Sequence, residues 1–166
     1  MSKMKNDIKT LSEYKELVKE YNESDSVSRR ESIEDAVYDK ARALLPKLIA
    51  LYAKYGQRYV YDSEFQESCG ELSLCEFDES TVVLHYEDHW AYGGECDIII
   101  TVQMKYLDSN EMEALEKELR EKRVARVKNL VKEKNDAIER LKKEVEELEA
   151  ELEKLEAAIT IGDEGE

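Results

Sequence analysis

The chain has 166 residues, 42% hydrophobic and 39% charged, with 40 acids against 25 bases for a net charge of −15. That length allows one modest domain plus an extension, and the charge opposes nonspecific binding to nucleic acid or to an anionic membrane surface. No run approaches the roughly 18–20 apolar residues that span a bilayer, the N-terminal segment lacks a signal-peptide core, and Cys69, Cys75 and Cys96 make no secreted-type disulfide framework. A cytoplasmic protein with free thiols is expected.

Ile8, Leu11, Tyr14, Leu17, Val18 and Tyr21 recur at helical spacing and predict a helix over 8–21. The polar stretch 22–27 reads as a loop. Ser32 is placed to cap a second helix, with Glu34 and Asp35 near its first turn. Ile33, Val37, Ala41, Leu44, Leu45, Leu48, Ile49, Tyr52 and Tyr55 form its apolar stripe. Pro46 predicts a bend or a break in it, and Gly56 its stop.

The period then changes. Residues 71–77, 81–87 and 96–107 are rich in β-branched and aromatic residues, and 58–61 is a candidate fourth strand. Turn residues occupy 78–80, and Tyr92, Gly93 and Gly94 supply flexible backbone before the last strand. On that strand Ile98, Ile100, Val102, Met104 and Tyr106 share one face, which needs a cover. The second helix and the start of the final one are the expected covers.

Asp108, Ser109 and Asn110 start a helix that can continue to about residue 159, roughly 75 Å at 1.5 Å per residue. Met112, Leu115 and Leu119 form an early stripe. A step of five then separates Leu119 from Val124, which predicts a hand-over from packing on the sheet to packing on another helix. From there Val124, Val131, Ile138, Val145, Leu152 and Ile159 fall at heptad position a, and Val127, Lys134, Leu141, Leu148 and Leu155 at d. Mostly β-branched a with mostly leucine d favours a parallel two-stranded coiled coil, and Lys134 is a polar interruption that selects register or oligomer state. The flanks oppose that orientation, because Glu144 would face Glu149 and Glu151 would face Glu156 across a parallel pair. Antiparallel self-association or a basic helix from another protein would relieve the clash.

The fold expected is α+β: N-terminal helices covering a three- to four-stranded antiparallel meander, followed by a long C-terminal coiled-coil helix. Residues 1–107 read as an acidic α+β domain, 108–160 as the long helix with the coiled coil from about 124, and 161–166 as a disordered tail.

Motifs for chemistry are sparse. His85 and His89, with Cys75, Cys96, Asp88 and Glu87, could gather at one end of the meander, but their spacing is not that of a zinc finger. Two histidines four apart on a strand are about 13 Å apart. Ser68 and Ser73 lack an evident base and acid, and no glycine-rich strand-to-helix turn is present. The tyrosines Tyr52, Tyr55, Tyr59 and Tyr61 suit a core edge or a subunit interface. No cofactor or metal is expected. A hydrolase or small-ligand site would have to use the 85–97 region.

Recognition is better represented. Between Arg58 and Lys105 the sequence holds eleven acids and no lysine or arginine. Within that stretch Glu87, Asp88, Trp90, Tyr92, Glu95 and Asp97 combine aromatics, flexible backbone and negative charge, a composition common at binding surfaces. The leading expectation is an acidic interaction protein, homodimeric through its C-terminal helix, that binds a basic protein surface. In its sharper form it inhibits a nucleic-acid-binding protein by imitating charge, without contacting nucleic acid or membrane itself. Small virus- or plasmid-encoded inhibitors resemble this description in size and charge, not in motif. The alternative is a structural spacer or assembly protein, for which removal of 124–166 abolishes function.

Overall fold

A capping box sets where the first helix begins. In the computed structural model, which describes residues 8–60, 70–89 and 95–163 (and the side chains of all of these but 88, 89, 95, 96 and 159–163), the Thr10 hydroxyl accepts from the Glu13 N–H at 3.3 Å. The Glu13 carboxylate accepts from the Thr10 N–H at 3.1 Å. Two orphan amides are satisfied at once, so α1 spans Leu11–Glu23 rather than 8–21. Ile8 is buried just ahead of it.

Helix α2, Val27–Lys54, starts earlier than expected. Ser26, not Ser32, is its cap and accepts from the Arg29 N–H at 3.4 Å. The Arg29 guanidinium donates two bonds to the Glu20 carboxylate at 2.6 and 2.7 Å, tying the first turn of α2 to α1. The connection therefore shrinks to 24–26. Pro46 lies inside α2 without ending it. An interior proline costs about 3 kcal/mol, but Leu44, Leu45 and Leu48 around it are all buried, and continuation of the helix keeps them in the core at about 1.5–3 kcal/mol each. Gly56 ends the helix as expected. Its φ of 68° lets the Gln57 N–H reach the Tyr52 carbonyl and the Gly56 N–H reach the Ala53 carbonyl, both at 2.9 Å.

The sheet is a meander of β1 (Glu71–Phe77), β2 (Thr81–His89) and β3 (Glu95–Gln103), antiparallel throughout and in the order β1-β2-β3. No fourth strand forms over 58–60, and Tyr61 lies outside the described residues. β3 also ends sooner than the alternation implied, because Met104–Leu107 closes into a 3-10 turn. Met104 keeps its inward aim in that turn and is fully buried, so its polarity gave no sign of the change. β1 carries a bulge at Cys75: Leu74 pairs with Leu84 and Glu76 with Val83. The extra residue shifts the parity of the strand, which turns Phe77 to the same side as Leu72 and Leu74.

The turn between β1 and β2 is organised by Asp78. One carboxylate oxygen accepts from the Ser80 N–H and hydroxyl at 2.7 and 2.8 Å, and from the Thr81 N–H and hydroxyl at 2.8 and 3.2 Å. The Ser80 N–H leads in holding this carboxyl below its ordinary value of 3.8, followed by the Ser80 hydroxyl and the Thr81 N–H. A depressed folded pKa contributes stability that is present above the unfolded value and lost as the pH falls through the folded one. Asp78→Ala is therefore expected to lower stability by about 1 kcal/mol at neutral pH, the figure being small because the carboxylate is open to water. In denaturant titrations at several pH values the gap from the parent should narrow below about pH 4. Above this turn the buried Tyr14 hydroxyl donates to the Asp78 carbonyl at 2.5 Å, and burial pushes its pKa well above the usual phenol range.

Helix α3 spans Ser109–Asp163. The Asp108 carbonyl accepts from the Met112 N–H at 3.1 Å, while its carboxylate accepts from the Leu11 N–H at 3.0 Å, joining the starts of α1 and α3. Leu115 and Leu119 complete one buried cluster with Tyr14, Val18, Ile33, Val37, Ala41, Leu44, Leu45 and Leu48 from the helices and Val82, Leu84, Tyr86, Ile100 and Val102 from the sheet. The expected cover by α2 is in place on all three strands, and the start of α3 joins the same core. The chain divides into two compact units, the first ending at Arg120 and the second beginning at Glu121. No helix among the described residues is long and apolar enough to cross a membrane.

Candidate interaction surfaces

Strand alternation gives the sheet a second face, opposite the core. Register sets its rows. Glu71 pairs with Glu87 and Glu87 with Asp97, so three carboxylates 26 residues apart in sequence at their extremes stand side by side across all three strands. All three are exposed. The next row is Ser73, His85 and Ile99, and Ile99 is 62% exposed. His85 Nε2 meets the Asp97 carboxylate across the strands. Like charges in register oppose one another, and the sequence between Arg58 and Lys105 holds no lysine or arginine.

The same rows bear on the expected chemistry. Ser73 is in register with His85, but it makes no hydrogen bond to the imidazole, whose Nε2 is engaged by Asp97. A serine nucleophile is activated by a base within hydrogen-bond reach. Cys75 is exposed at the bulge. Among the described residues no three His, Cys, Asp or Glu side chains converge in a group able to hold a metal ion. His89 and Cys96 are placed by backbone register only, at the far ends of β2 and β3.

The tyrosines brace the first unit. Tyr38 and Tyr59 donate to the Leu72 and Thr101 carbonyls, both at 2.7 Å, on the two outer strands of the sheet. Tyr52 and Tyr59 pack edge-to-face with centroids 5.2 Å apart. Burial raises the Tyr59 hydroxyl to about 12. The Tyr55 hydroxyl and the Lys54 ammonium both donate to Glu116, at 2.8 and 2.7 Å, linking the end of α2 to α3. Those bonds, that of Lys54 foremost, hold the Glu116 carboxyl below the usual range. A cleft of about 600 Å³ opens beside β1, lined by Tyr21, Glu34, Asp35 and Tyr38 from the helices and by 72–77 from the strand.

The second unit has a different surface. Beyond Leu119 every large aliphatic side chain described on α3 is between 42% and 65% exposed. Nine of them (Val124, Val127, Val131, Ile138, Leu141, Val145, Leu148, Leu152 and Leu155) occupy a and d positions and so lie on one stripe, with Lys134 exposed among them. Ile138, Leu141, Lys142 and Val145, together with Glu146, line a depression on this stripe. Comparison with family models, with curated proteins and with solved structures finds no match for this chain.

Of the partner-binding residues expected from sequence, Glu87 and Asp97 fall together on the acidic row. Trp90 and Tyr92 lie outside the described residues. Asp88 and Glu95 have backbone positions on β2 and β3, and their side chains lie outside the description, as does that of Ile159 on α3. Nothing in the sequence singles out Glu71 from the other acids. It is 16 residues from Glu87, and only the register of β1 against β2 brings them together.

Proposed function

We propose that the protein is a self-associating interaction protein, joined through the α3 seam as a coiled coil, whose acidic sheet face receives a basic surface on another protein. The observation that carries the reading is the stripe of nine exposed aliphatic side chains at a and d spacing. Single exposed aliphatics are ordinary, whereas a contiguous apolar stripe marks an interaction site. Each is about half exposed already, so its burial against a second helix is worth on the order of 1 kcal/mol. A pair of chains brings eighteen such side chains together, which outweighs an association cost of about 4–15 kcal/mol.

The acidic row supports the second half of the reading. Glu71, Glu87 and Asp97 form a one-sign patch of the kind that steers a basic partner toward itself. A nucleic-acid-binding protein presents such a partner surface, and an inhibitor that occupies it by charge is the specific form proposed. The test is the mass of the full-length protein in solution at micromolar concentration. About twice 19.3 kDa is expected, and a single-chain mass with no helix bound refutes the self-association. For a captured partner, affinity should fall steeply between about 50 and 500 mM salt. An affinity indifferent to salt refutes the charge-led half.

A further inference from the structure

The seam has a symmetry that bears on direction. Between Val124 and Leu155 its ten positions are separated by steps of three and four in strict alternation, beginning and ending on three. The order is therefore the same read from either end. One antiparallel register superposes every position: Val124 meets Leu155 of the second copy, Val131 meets Leu148, Ile138 meets Leu141. Each a residue faces a d residue, and no part of the seam overhangs.

Charge along the second unit is strongly polarised. Residues 121–143 hold nine bases against four acids, a net of +5, and residues 144–158 hold seven acids against one base, a net of −6. A parallel pair lays basic half on basic half and acidic half on acidic half. An antiparallel pair lays each on its opposite.

The flanking positions give the same answer in detail. In a parallel pair Arg123 faces Lys128, Glu144 faces Glu149 and Glu151 faces Glu156, all like-charged. Reversal puts Lys128 against Glu149, Glu144 against Ala137 and Glu151 against Leu130, and leaves Glu121 with Glu156 at the outer ends as the one like pair among them. Lys134 decides similarly. In parallel it packs on Lys134 of the second copy inside the seam. Reversed, it packs on Val145, whose neighbour Glu144 carries the opposite charge. The depression lined by Ile138, Leu141, Lys142, Val145 and Glu146 includes the successive a, d, e and a positions that bound a coiled-coil hole, and the reversed register delivers Ile138 of the second copy over them.

We infer that two copies of this chain pair through residues 124–155 as an antiparallel coiled coil in that register. The inference rests on the self-association proposed above and adds its direction, against the β-branched-a, leucine-d preference for parallel pairs. That preference concerns fine packing. It is opposed here by three like-charged contacts, each repeated by symmetry, and by two lysines facing each other in the core.

The test uses the full chain with Cys69, Cys75 and Cys96 replaced by serine. Val131→Cys and Leu148→Cys proteins are mixed and equilibrated in a glutathione redox buffer, and the intact masses and cross-linked peptides are measured. A 131–148 disulfide between copies is expected, with little 131–131 or 148–148 product, because like positions lie about 25 Å apart along the axis in this register. A dimer that gives 131–131 or 148–148 disulfides instead, or no 131–148 product, overturns the direction and leaves self-association standing. A single-chain mass for the parent removes self-association itself, and the direction with it. Charge reversal reads the direction without cysteine. Lys128→Glu should raise the dimer Kd about 2- to 10-fold, and Glu149→Lys in the same chain should restore it. If Lys128→Glu tightens the dimer, the antiparallel arrangement is overturned, because that substitution relieves the Arg123–Lys128 repulsion of a parallel pair.

Discussion

If the protein pairs through α3 as proposed, Leu141→Asp together with Leu148→Asp is expected to reduce it to single chains of 19.3 kDa at concentrations where the parent sediments as a pair. The two leucines are 59% and 65% exposed in the isolated chain and lie outside the buried core, so the first unit should keep its cooperative unfolding. In a pair, four leucines become four carboxylates inside an apolar seam. Each change loses on the order of 1–2 kcal/mol of burial and adds the cost of desolvating a charge. A Kd weakened by at least about a thousand-fold follows, since each 1.4 kcal/mol is a factor of ten. Lys143→Asp, at an f position on the opposite side of the helix, is the control and should leave the mass unchanged. Sedimentation of the three proteins side by side measures this. A double variant that still sediments as the parent does would mean that the stripe takes no part in the assembly.

The exposed aliphatic stripe of α3 is legible in sequence because a helix fixes side-chain direction by spacing alone, and α3 runs from Ser109 to Asp163. The strands were legible for a similar reason, through β-branched runs and alternation. Readings that needed a competing local bond went astray. Ser26 and Ser32 are equally good caps by type, and the Arg29–Glu20 pair that favours the earlier start depends on two helices being neighbours. Tyr59 lies in a stretch with strand composition, yet its hydroxyl takes the Thr101 carbonyl by a side-chain bond, and no backbone ladder forms at 58–60. The bulge did have a signal: apolar residues at 72, 74 and 77 break the alternation by one. The acidic row had none, because neither the register Glu71–Glu87–Asp97 nor the face it occupies follows from the density of acids along the chain.

Gly70→Ala carries the largest expected effect on the stability of the first unit. Gly70 immediately precedes β1, and a methyl group added there would lie 2.3 Å from Cζ of Tyr86, 2.4 Å from Cε2 and 2.6 Å from the hydroxyl oxygen. None of these is a tolerable separation for non-bonded atoms. A ring at the surface could swing aside, but Tyr86 is fully buried and sits on β2 between Leu72 and Ile98 in register. Relief requires either the ring to leave its seat or the start of β1 to lift from the sheet. Overpacking of this kind costs typically about 1–3 kcal/mol, and the upper half of that range is expected because the contact is with a rigid ring. The corresponding fall in Tm is about 5–10 °C. Gly56→Ala provides a scale: there the penalty is the φ of 68° alone, worth about 1 kcal/mol. The mechanism predicts a specific non-additivity. In a Tyr86→Leu background, where the ring is gone, Gly70→Ala should cost little, so the double-mutant cycle should return a coupling of about 2 kcal/mol or more. Equal cost in both backgrounds would show that the penalty at position 70 has nothing to do with the ring, and that the close approach of Gly70 to Tyr86 is not what holds the start of β1 in place.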